Sequence, residues 1–342
     1  MRPVSTALVL AALAASAVAA AAQPSAGVRP ITGAGSTFAA PLYREWAAAA
    51  KPAIHLDLDY QAVGSGAGQR RILARAVDFG ATDAPMSPAR LASGDLLQFP
   101  TALGALVIVV NLPGVAPGAL RLSGAVLADI FAGTIGRWDD PRIAALNPGL
   151  ALPGLPVAPV HRDDGAGATY LFTAYLSAVS ARWKSDIGAN TSVAWPAGAG
   201  ARGNDGVAAA VRGTPGAIGY VGSPYAARAH LATVRLRNHD GRYVPPDTTT
   251  YAAAAAGADW AHAVDYAVDL IDQPGPRAWP IVAATFVELP RDRRDRARAS
   301  AVVAFFDWAI KNGDDIAERL DYIPLPAAVK ARVRRDWAAD IR

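Results

Sequence analysis

Three segments of this chain share one local pattern: an apolar strand, a turn of small residues, and the start of a helix. The segments read ITGAGSTFAAPLYREW, YQAVGSGAGQRRILAR and VHRDDGAGATYLFTAYL. At each helix start, several backbone N–H groups lack a partner within the helix, and the helix dipole places partial positive charge there. Such a turn binds anions without a lysine, and small residues let a ligand approach the backbone closely. The repeated pattern therefore predicts strand–turn–helix units and an anion site.

The hydrophobic periodicity elsewhere indicates an α/β fold. Alternation over residues 54–60, IHLDLDY, predicts a strand with one buried face, and the apolar run 105–110 predicts a strand covered on both sides. Apolar residues recur at helical spacing over 38–46 and 172–179, and the helix pattern over 300–313 stops at an Asn-Gly pair. Strands that alternate with helices are typical of α/β domains. The stretch NPGLALPGLP predicts a loop within a domain.

Composition places the chain among globular proteins. It has 342 residues, of which 52% are hydrophobic and 18% charged, enough for two domain-sized cores. The formal net charge of +4 is spread along the sequence, so we expect no nucleic-acid partner. The dense cluster 291–298 alternates in sign and predicts a solvated face. There is no cysteine, hence neither a disulfide nor a lipid-accepting thiol.

The N-terminus predicts export. Arg2 precedes an apolar run from Ala7 to Ala22, and small residues follow before Gln23. This layout is typical of a secretory signal, here residues 1–22, with cleavage near Ala22. A membrane anchor is the alternative, but the run is rich in alanine and only weakly apolar. We therefore expect a soluble protein outside the cytoplasm, most simply in a bacterial periplasm.

Most catalytic and cofactor signatures are missing. GAGSTF lacks the third glycine of a dinucleotide loop, no glycine loop continues into Lys-Ser/Thr, and no serine lies in a G-x-S-x-G turn. The five histidines show no metal-ligand spacing. The only candidate catalytic groups are His161, Asp163 and Asp164, and Asp164 more simply orients Arg162. We expect no cofactor, no metal and no enzymatic activity.

The order and spacing of several segments identify a resemblance. From about Ile31 to its C-terminus, the chain resembles the periplasmic phosphate-binding proteins of bacterial phosphate ABC transporters. The segments that carry it are TGAGSTFAAPLY, VDFGATDAPMS, LADIFAG, RWDDPRIAALNPG, GNDGVAA, PGAIGYV and FFDWA.

The resemblance implies a fold. The family has the two-lobed α/β architecture of type II periplasmic binding proteins, with the ligand in the cleft between the lobes. On this sequence, lobe I would hold residues 28–103 plus 284–342, and lobe II would hold residues 104–283. The chain would cross between lobes near Leu103 and again near Val282. These two crossings would act as hinges that let the lobes close over the ligand.

The resemblance also implies phosphate contacts in lobe I. Thr37 would offer a hydroxyl and Phe38 a backbone N–H, with Ser36 beside them, and Ser65 would offer a hydroxyl and an N–H. Asp83 would accept a hydrogen bond from a protonated phosphate. Sulfate at neutral pH has no proton to donate, so a buried Asp83 would repel it and exclude it from the site.

In lobe II the resemblance implies Arg162 as the single cation of the site, held by Asp164. The turn that follows departs from the family, because Ala166 and Ala168 replace the usual serine and threonine. Backbone N–H groups of Ala166, Gly167 and Ala168 would still bind phosphate. The loss of two hydroxyl donors to a charged ligand would weaken binding by about 1.5–3 kcal/mol each, or less where water substitutes.

The leading hypothesis is a monomeric receptor that captures inorganic phosphate and delivers it to the permease subunits of an ABC transporter. Three alternatives stay open. The altered third turn is compatible with arsenate or another protonated oxyanion as the ligand. A secreted phosphohydrolase would use His161, Asp163 and Asp164. A sensor would bind phosphate without transporting it.

Overall fold

The structure is a computed structural model that describes residues 29–291 and 295–341. The predicted signal segment 1–22 lies outside the described residues, as do residues 292–294 of the charged cluster. The strands of the described chain are β1 Ile31–Gly35, β2 Leu58–Gln61, β3 Phe79–Thr82, β4 Leu96–Val110, β5 Arg121–Leu122, β6 Ala158–Arg162, β7 Ala199–Ala201, β8 Ala217–Gly222, β9 Ala232–Thr233, β10 Arg235–Arg237, β11 Tyr243–Val244 and β12 Val282–Pro290.

The helices surround these strands. They are α1 Ala40–Ile54, α2 Ser65–Leu73, α3 Pro88–Ser93, α4 Gly124–Phe131, α5 Pro141–Ala144, α6 Gly167–Val179, α7 Ala181–Asp186, α8 Gly203–Gly213, α9 Ser223–Arg228, α10 Thr248–Ala255, α11 Arg296–Asn312, α12 Asp314–Arg319 and α13 Ala327–Asp340, with a 3₁₀ turn at Val264–Tyr266. No helix of the described ranges combines the length and the apolar composition needed to cross a membrane.

One large sheet contains two groups of parallel strands joined by a long antiparallel pair. Its order is β2-β1-β3-β12-β4-β8-β6-β7, with β9 also paired to β4. Strand β1 is parallel to β2 and β3, and β6 is parallel to β7 and β8. Strand β12 runs antiparallel to both β3 and β4. Strands β5, β10 and β11 form a separate small sheet.

The long strand β4 belongs to both groups. Its first part, Leu96 to Ala105, pairs with β12, and its last part, Leu106 to Val110, pairs with β8. The change of partner therefore lies two residues beyond Leu103, where the first crossing is predicted. The returning strand β12 begins at Val282, the predicted second crossing. The lobe boundaries themselves remain a prediction.

Most local predictions agree with the structure, and one is partly wrong. The run 105–110 lies in the fully buried β4, residues 147–156 form a loop, and α11 ends at Asn312. The predicted strand over 54–60 begins only at Leu58, because α1 continues through Ile54. Helix α1 packs on α11 and α12, so tertiary packing extends the helix into the first part of the alternating segment.

Candidate ligand site

Three polar residues of predicted lobe I meet at the carboxyl ends of parallel strands. Ser36 follows β1, Asp83 follows β3, and Ser65 opens α2. Because parallel neighbours end at the same edge of a sheet, these residues lie together. The Ser36 hydroxyl lies 2.6 and 2.8 Å from the two Asp83 oxygens, and the Ser65 hydroxyl lies 3.4 Å from Oδ2. Thr285 of β12 adds a third hydroxyl, 2.8 Å from Oδ1.

Asp83 is the centre of this group. Its side chain is 2% exposed, and no cation hydrogen-bonds to it within the described residues. Burial raises the pKa of Asp83 above its ordinary value, although the hydroxyls of Ser36 and Thr285 and the charge of Arg162 act in the opposite direction. A buried carboxylate is costly to keep charged when no cation pairs with it directly. The arrangement therefore favours a ligand that brings its own proton.

The turn 37–39 between β1 and α1 presents backbone N–H groups. The carbonyl of Thr37 accepts a hydrogen bond from the Tyr225 hydroxyl at 2.5 Å, and the carbonyl of Phe38 accepts one from Tyr322. These tyrosines fix the peptide planes of the turn. The N–H groups of Thr37 and Phe38 find no acceptor within the described chain, so they remain available to an anion.

Arg162 lies at the end of β6 in predicted lobe II and is 3% exposed. Its Nε donates to Asp164 Oδ1 at 2.6 Å, its Nη2 donates to Oδ2, and the Gly203 N–H donates to Oδ1 at 3.1 Å. Burial opposes ionisation of Asp164, but the Arg162 guanidinium holds the pKa of that carboxyl below its ordinary value. Asp164 thus orients Arg162 as a charged donor.

The turn before α6 corrects one predicted donor. The Ala166 N–H is predicted to face the ligand, but it donates to the carbonyl of Thr191 at 2.8 Å. Ala166 is the N-cap residue of α6, so its N–H points back from the first helical turn. The N–H groups of Gly167, Ala168 and Thr169 have no acceptor in the part of the chain that the structure describes. We call these three N–H groups the free helix start of α6.

The second and third glycine turns contact each other directly. The Gly66 N–H donates to the Gly165 carbonyl at 2.9 Å, which links the second turn to the third. A Cβ at Gly167 would lie 2.6 Å from both Asp83 Oδ2 and Ser65 Oγ. A Cβ at Gly64 would lie 2.5 Å from Asp164 Oδ2. The bare backbone of the HRDDGAGATY segment is therefore the surface that fits against the side chains of predicted lobe I.

Sequence reasoning assigned no role to several residues of this cleft. Asn204 donates from Nδ2 to Thr37 Oγ1 at 2.8 Å, and Tyr225, Tyr322 and Thr285 contact the site from distant segments. The segment GNDGVAA carries part of the resemblance, but its asparagine has no local pattern that indicates a contact. Thr285 interrupts an apolar strand, and that polar residue in a buried run is a usable signal.

Two candidate groups of the phosphohydrolase alternative have other partners. The His161 ring stacks on Trp195 with centroids 4.7 Å apart, and Asp164 is engaged by Arg162. Among the residues that the structure describes, no three His, Cys, Asp or Glu side chains form a group that could hold a metal ion.

Comparisons with known proteins identify the family of the chain. The model of the PBP superfamily domain matches residues 20–312. The phosphate-binding protein PstS of Haemophilus influenzae is 43% identical over 319 residues, covering 93% of this chain and 96% of that protein. PstS of Pasteurella multocida is 45% identical over 312 residues, covering 91% of each.

Solved structures show the same fold. A high-affinity periplasmic phosphate-binding protein, PfluDING, solved with bound phosphate, superposes with a TM-score of 0.69 at 22% identity, covering 90% of this chain and 93% of that chain. The chain therefore belongs to the PBP superfamily and, within it, to the PstS family of phosphate-binding proteins, with their two-lobed α/β fold.

Proposed function

We propose that this protein captures inorganic phosphate in the cleft between its lobes, outside the cytoplasm, and delivers it to the permease of an ABC transporter. The observation that carries the proposal is the pairing of a buried Asp83 with the free helix start of α6. Membership of the PstS family supports the same ligand.

The donors of the cleft suit a tetrahedral oxyanion. Arg162 supplies the positive charge, and the N–H groups of Phe38, Gly167 and Ala168 supply neutral donors. The Ser65 hydroxyl accepts a hydrogen bond from the Asp83 N–H at 3.2 Å, and its proton makes only a long 3.4 Å contact with Asp83 Oδ2, which it can exchange for a contact with the ligand.

Asp83 supplies the acceptor and the selectivity. Phosphate near neutral pH keeps at least one P–OH group, which donates to Asp83. Sulfate has no proton, so it would place two like charges in contact; at about 4 Å this costs roughly 4 kcal/mol at an effective dielectric constant of about 20. The cleft therefore binds phosphate and excludes sulfate.

The proposed mechanism is closure of two lobes. Residues 28–103 plus 284–342 form lobe I, residues 104–283 form lobe II, and the antiparallel pair β4–β12 links them. Closure brings Arg162 and α6 against Asp83 and shuts out water, which strengthens the electrostatic contacts. A monomer in the periplasm, released after removal of residues 1–22, is the simplest form of such a receptor.

Titration calorimetry on ligand-stripped protein tests the proposal. We expect phosphate to bind and sulfate to give no heat. Asp83→Asn should weaken phosphate binding and admit sulfate, because an amide neither repels the anion nor requires its proton. Asp59→Asn, at an exposed position on β2, is the matched control and should change neither ligand. Equal binding of phosphate and sulfate by the wild-type protein would refute the role of Asp83.

Two alternatives have their own tests. Arsenate keeps a proton and a tetrahedral shape, so competition titrations decide between it and phosphate. The phosphohydrolase alternative needs His161, Asp163 or Asp164 to act on a bound ester, whereas Asp164 holds Arg162 and His161 stacks on Trp195. Phosphate release from a simple phosphomonoester, abolished by Asp164→Asn, would be required to revive it.

A further inference from the structure

Asn204 contacts the turn 37–39 from the opposite wall of the cleft. It is the second residue of α8 and is 1% exposed. Its Oδ1 accepts a hydrogen bond from the Gly222 N–H at 3.0 Å, and its Nδ2 lies 2.8 Å from Thr37 Oγ1. Because a backbone N–H can only donate, Oδ1 must face Gly222, and the donor end of the amide must face Thr37.

This orientation determines what the Thr37 hydroxyl can do. A hydroxyl has one proton and two acceptor lone pairs. The Asn204 amide occupies one lone pair, so the proton of Thr37 points elsewhere, and no acceptor for it exists within the described residues. The carbonyl of Thr37 is held by Tyr225, which keeps the turn from rotating.

We infer that Asn204 is a positioning residue that sets the Thr37 hydroxyl as a hydrogen-bond donor to the bound anion. This inference rests on the proposed function. Asn204 lies in lobe II and Thr37 in lobe I as predicted, so their contact requires closed lobes. In an open form, water would satisfy the hydroxyl and leave its direction free. Closure of the lobes therefore also fixes the direction of the Thr37 hydroxyl as a donor.

A double-mutant cycle measured by phosphate titration calorimetry tests the inference. Asn204→Ala should weaken phosphate binding several-fold, because the Thr37 proton loses its direction. Asn204→Asp should weaken it about tenfold or more, since a carboxylate at this place accepts the Thr37 proton that the ligand needs. Asn111→Ala, in lobe II and away from the cleft, is the control and should leave binding unchanged.

Repeating the Asn204→Ala substitution in two Thr37 variants shows whether Asn204 acts through the Thr37 hydroxyl or only supports the structure. In Thr37→Val, which lacks the hydroxyl, Asn204→Ala should change phosphate affinity by less than about twofold. In Thr37→Ser, which keeps the hydroxyl, the full several-fold effect should return. Circular dichroism of each variant confirms that it folds.

Two results would overturn the inference in different ways. An equal loss from Asn204→Ala in the Thr37→Val and wild-type backgrounds would show that Asn204 only supports the structure, and the proposed function would stand. Wild-type protein that binds no phosphate would refute the proposed function and, with it, this inference.

Discussion

The two walls of the cleft are chemically opposite. The wall of predicted lobe I is rich in side-chain oxygen, from Ser36, Thr37, Ser65 and Asp83. The wall of predicted lobe II presents mainly backbone, at the free start of α6, together with the Arg162–Asp164 ion pair and the Asn204 amide. One wall brings a negative charge and hydroxyls, and the other brings a positive charge and N–H groups.

The difference follows from how closely the walls approach. Gly167 lies where Asp83 and Ser65 leave no room for a Cβ, and Gly64 lies where Asp164 leaves none. Each wall is bare at the place where the other projects a side chain. The lesson is that a glycine turn in such a cleft is shaped by the opposite lobe as much as by the ligand.

The largest expected effect comes from removing the charge of the lobe II wall. Arg162→Gln should weaken phosphate binding by roughly 3 kcal/mol or more, on the order of a hundredfold, because it removes charge-assisted donors and leaves Asp164 without its partner. Arg142→Gln is the control: this exposed arginine pairs with Asp129 and Asp140. Titration calorimetry compares the two variants, and similar losses would mean that Arg162 acts only through net charge.

The second largest effect on phosphate binding is expected from adding one carbon atom at Gly167, on the bare wall. In Gly167→Ala the new Cβ would lie 2.6 Å from Asp83 Oδ2 and Ser65 Oγ, so the lobes should not close fully. We expect about tenfold weaker phosphate binding, since overpacking costs roughly 1–3 kcal/mol. The melting temperature without ligand should hardly change. Gly136→Ala, with open space around its Cα, is the control. Unchanged affinity would show that the walls stay further apart with ligand bound.

Restoring hydroxyls to the bare wall should give a smaller gain. The double variant Ala166→Ser with Ala168→Thr should tighten phosphate binding, by up to about 1.5–3 kcal/mol for each hydroxyl that reaches the ligand. The single variants separate two effects. Ala166 is the N-cap of α6, so Ala166→Ser should raise helix stability by about 1 kcal/mol, whereas Ala168→Thr should act on affinity. Calorimetry and thermal unfolding report each effect, and unchanged affinity in both singles would mean that water already replaces the hydroxyls.

The smallest effect on binding is expected at a second buried carboxyl of lobe I. Glu288 lies on β12 opposite Gly80, and neither of its carboxyl oxygens has a partner among the described residues. Burial, weakly opposed by the charge of Arg90, raises the pKa of Glu288 to about 8. Asp83 receives three hydroxyl donors, whereas Glu288 receives none, and burial favours its neutral form.

The sign of the pH dependence follows from that raised pKa. The contribution of neutral Glu288 to stability is fully present below the ordinary value of 4.5 and is lost as the pH rises through about 8. Glu288→Gln cannot ionise, so its melting temperature should exceed that of the wild type by a growing margin from pH 5 to pH 9, reaching a few degrees. Glu318→Gln, at an exposed position, should show no such trend. A margin that stays constant with pH would contradict an unpartnered Glu288.

Much of the site could be predicted because its parts are local. Each strand–turn–helix segment spans fewer than twenty residues, and free N–H groups follow from any helix start. Arg162 and Asp164 are two residues apart, so their pairing is accessible to sequence reasoning. The resemblance added the lobes, the role of Asp83 and the ligand, which no local pattern contains.

Tertiary structure alone decided the contacts that join distant segments. Asn204 meets Thr37 across 167 residues of chain, and Thr285 meets Asp83 across 202. Thr191 takes the N–H of Ala166, and helix packing carries α1 through Ile54. The sequence by itself predicted where anions could bind, because helix starts and charges are local properties. Packing between the lobes decides which donors remain free and which side chains fill the opposite wall. The reason is that a donor is free only when no acceptor from a distant segment comes within hydrogen-bond distance of it.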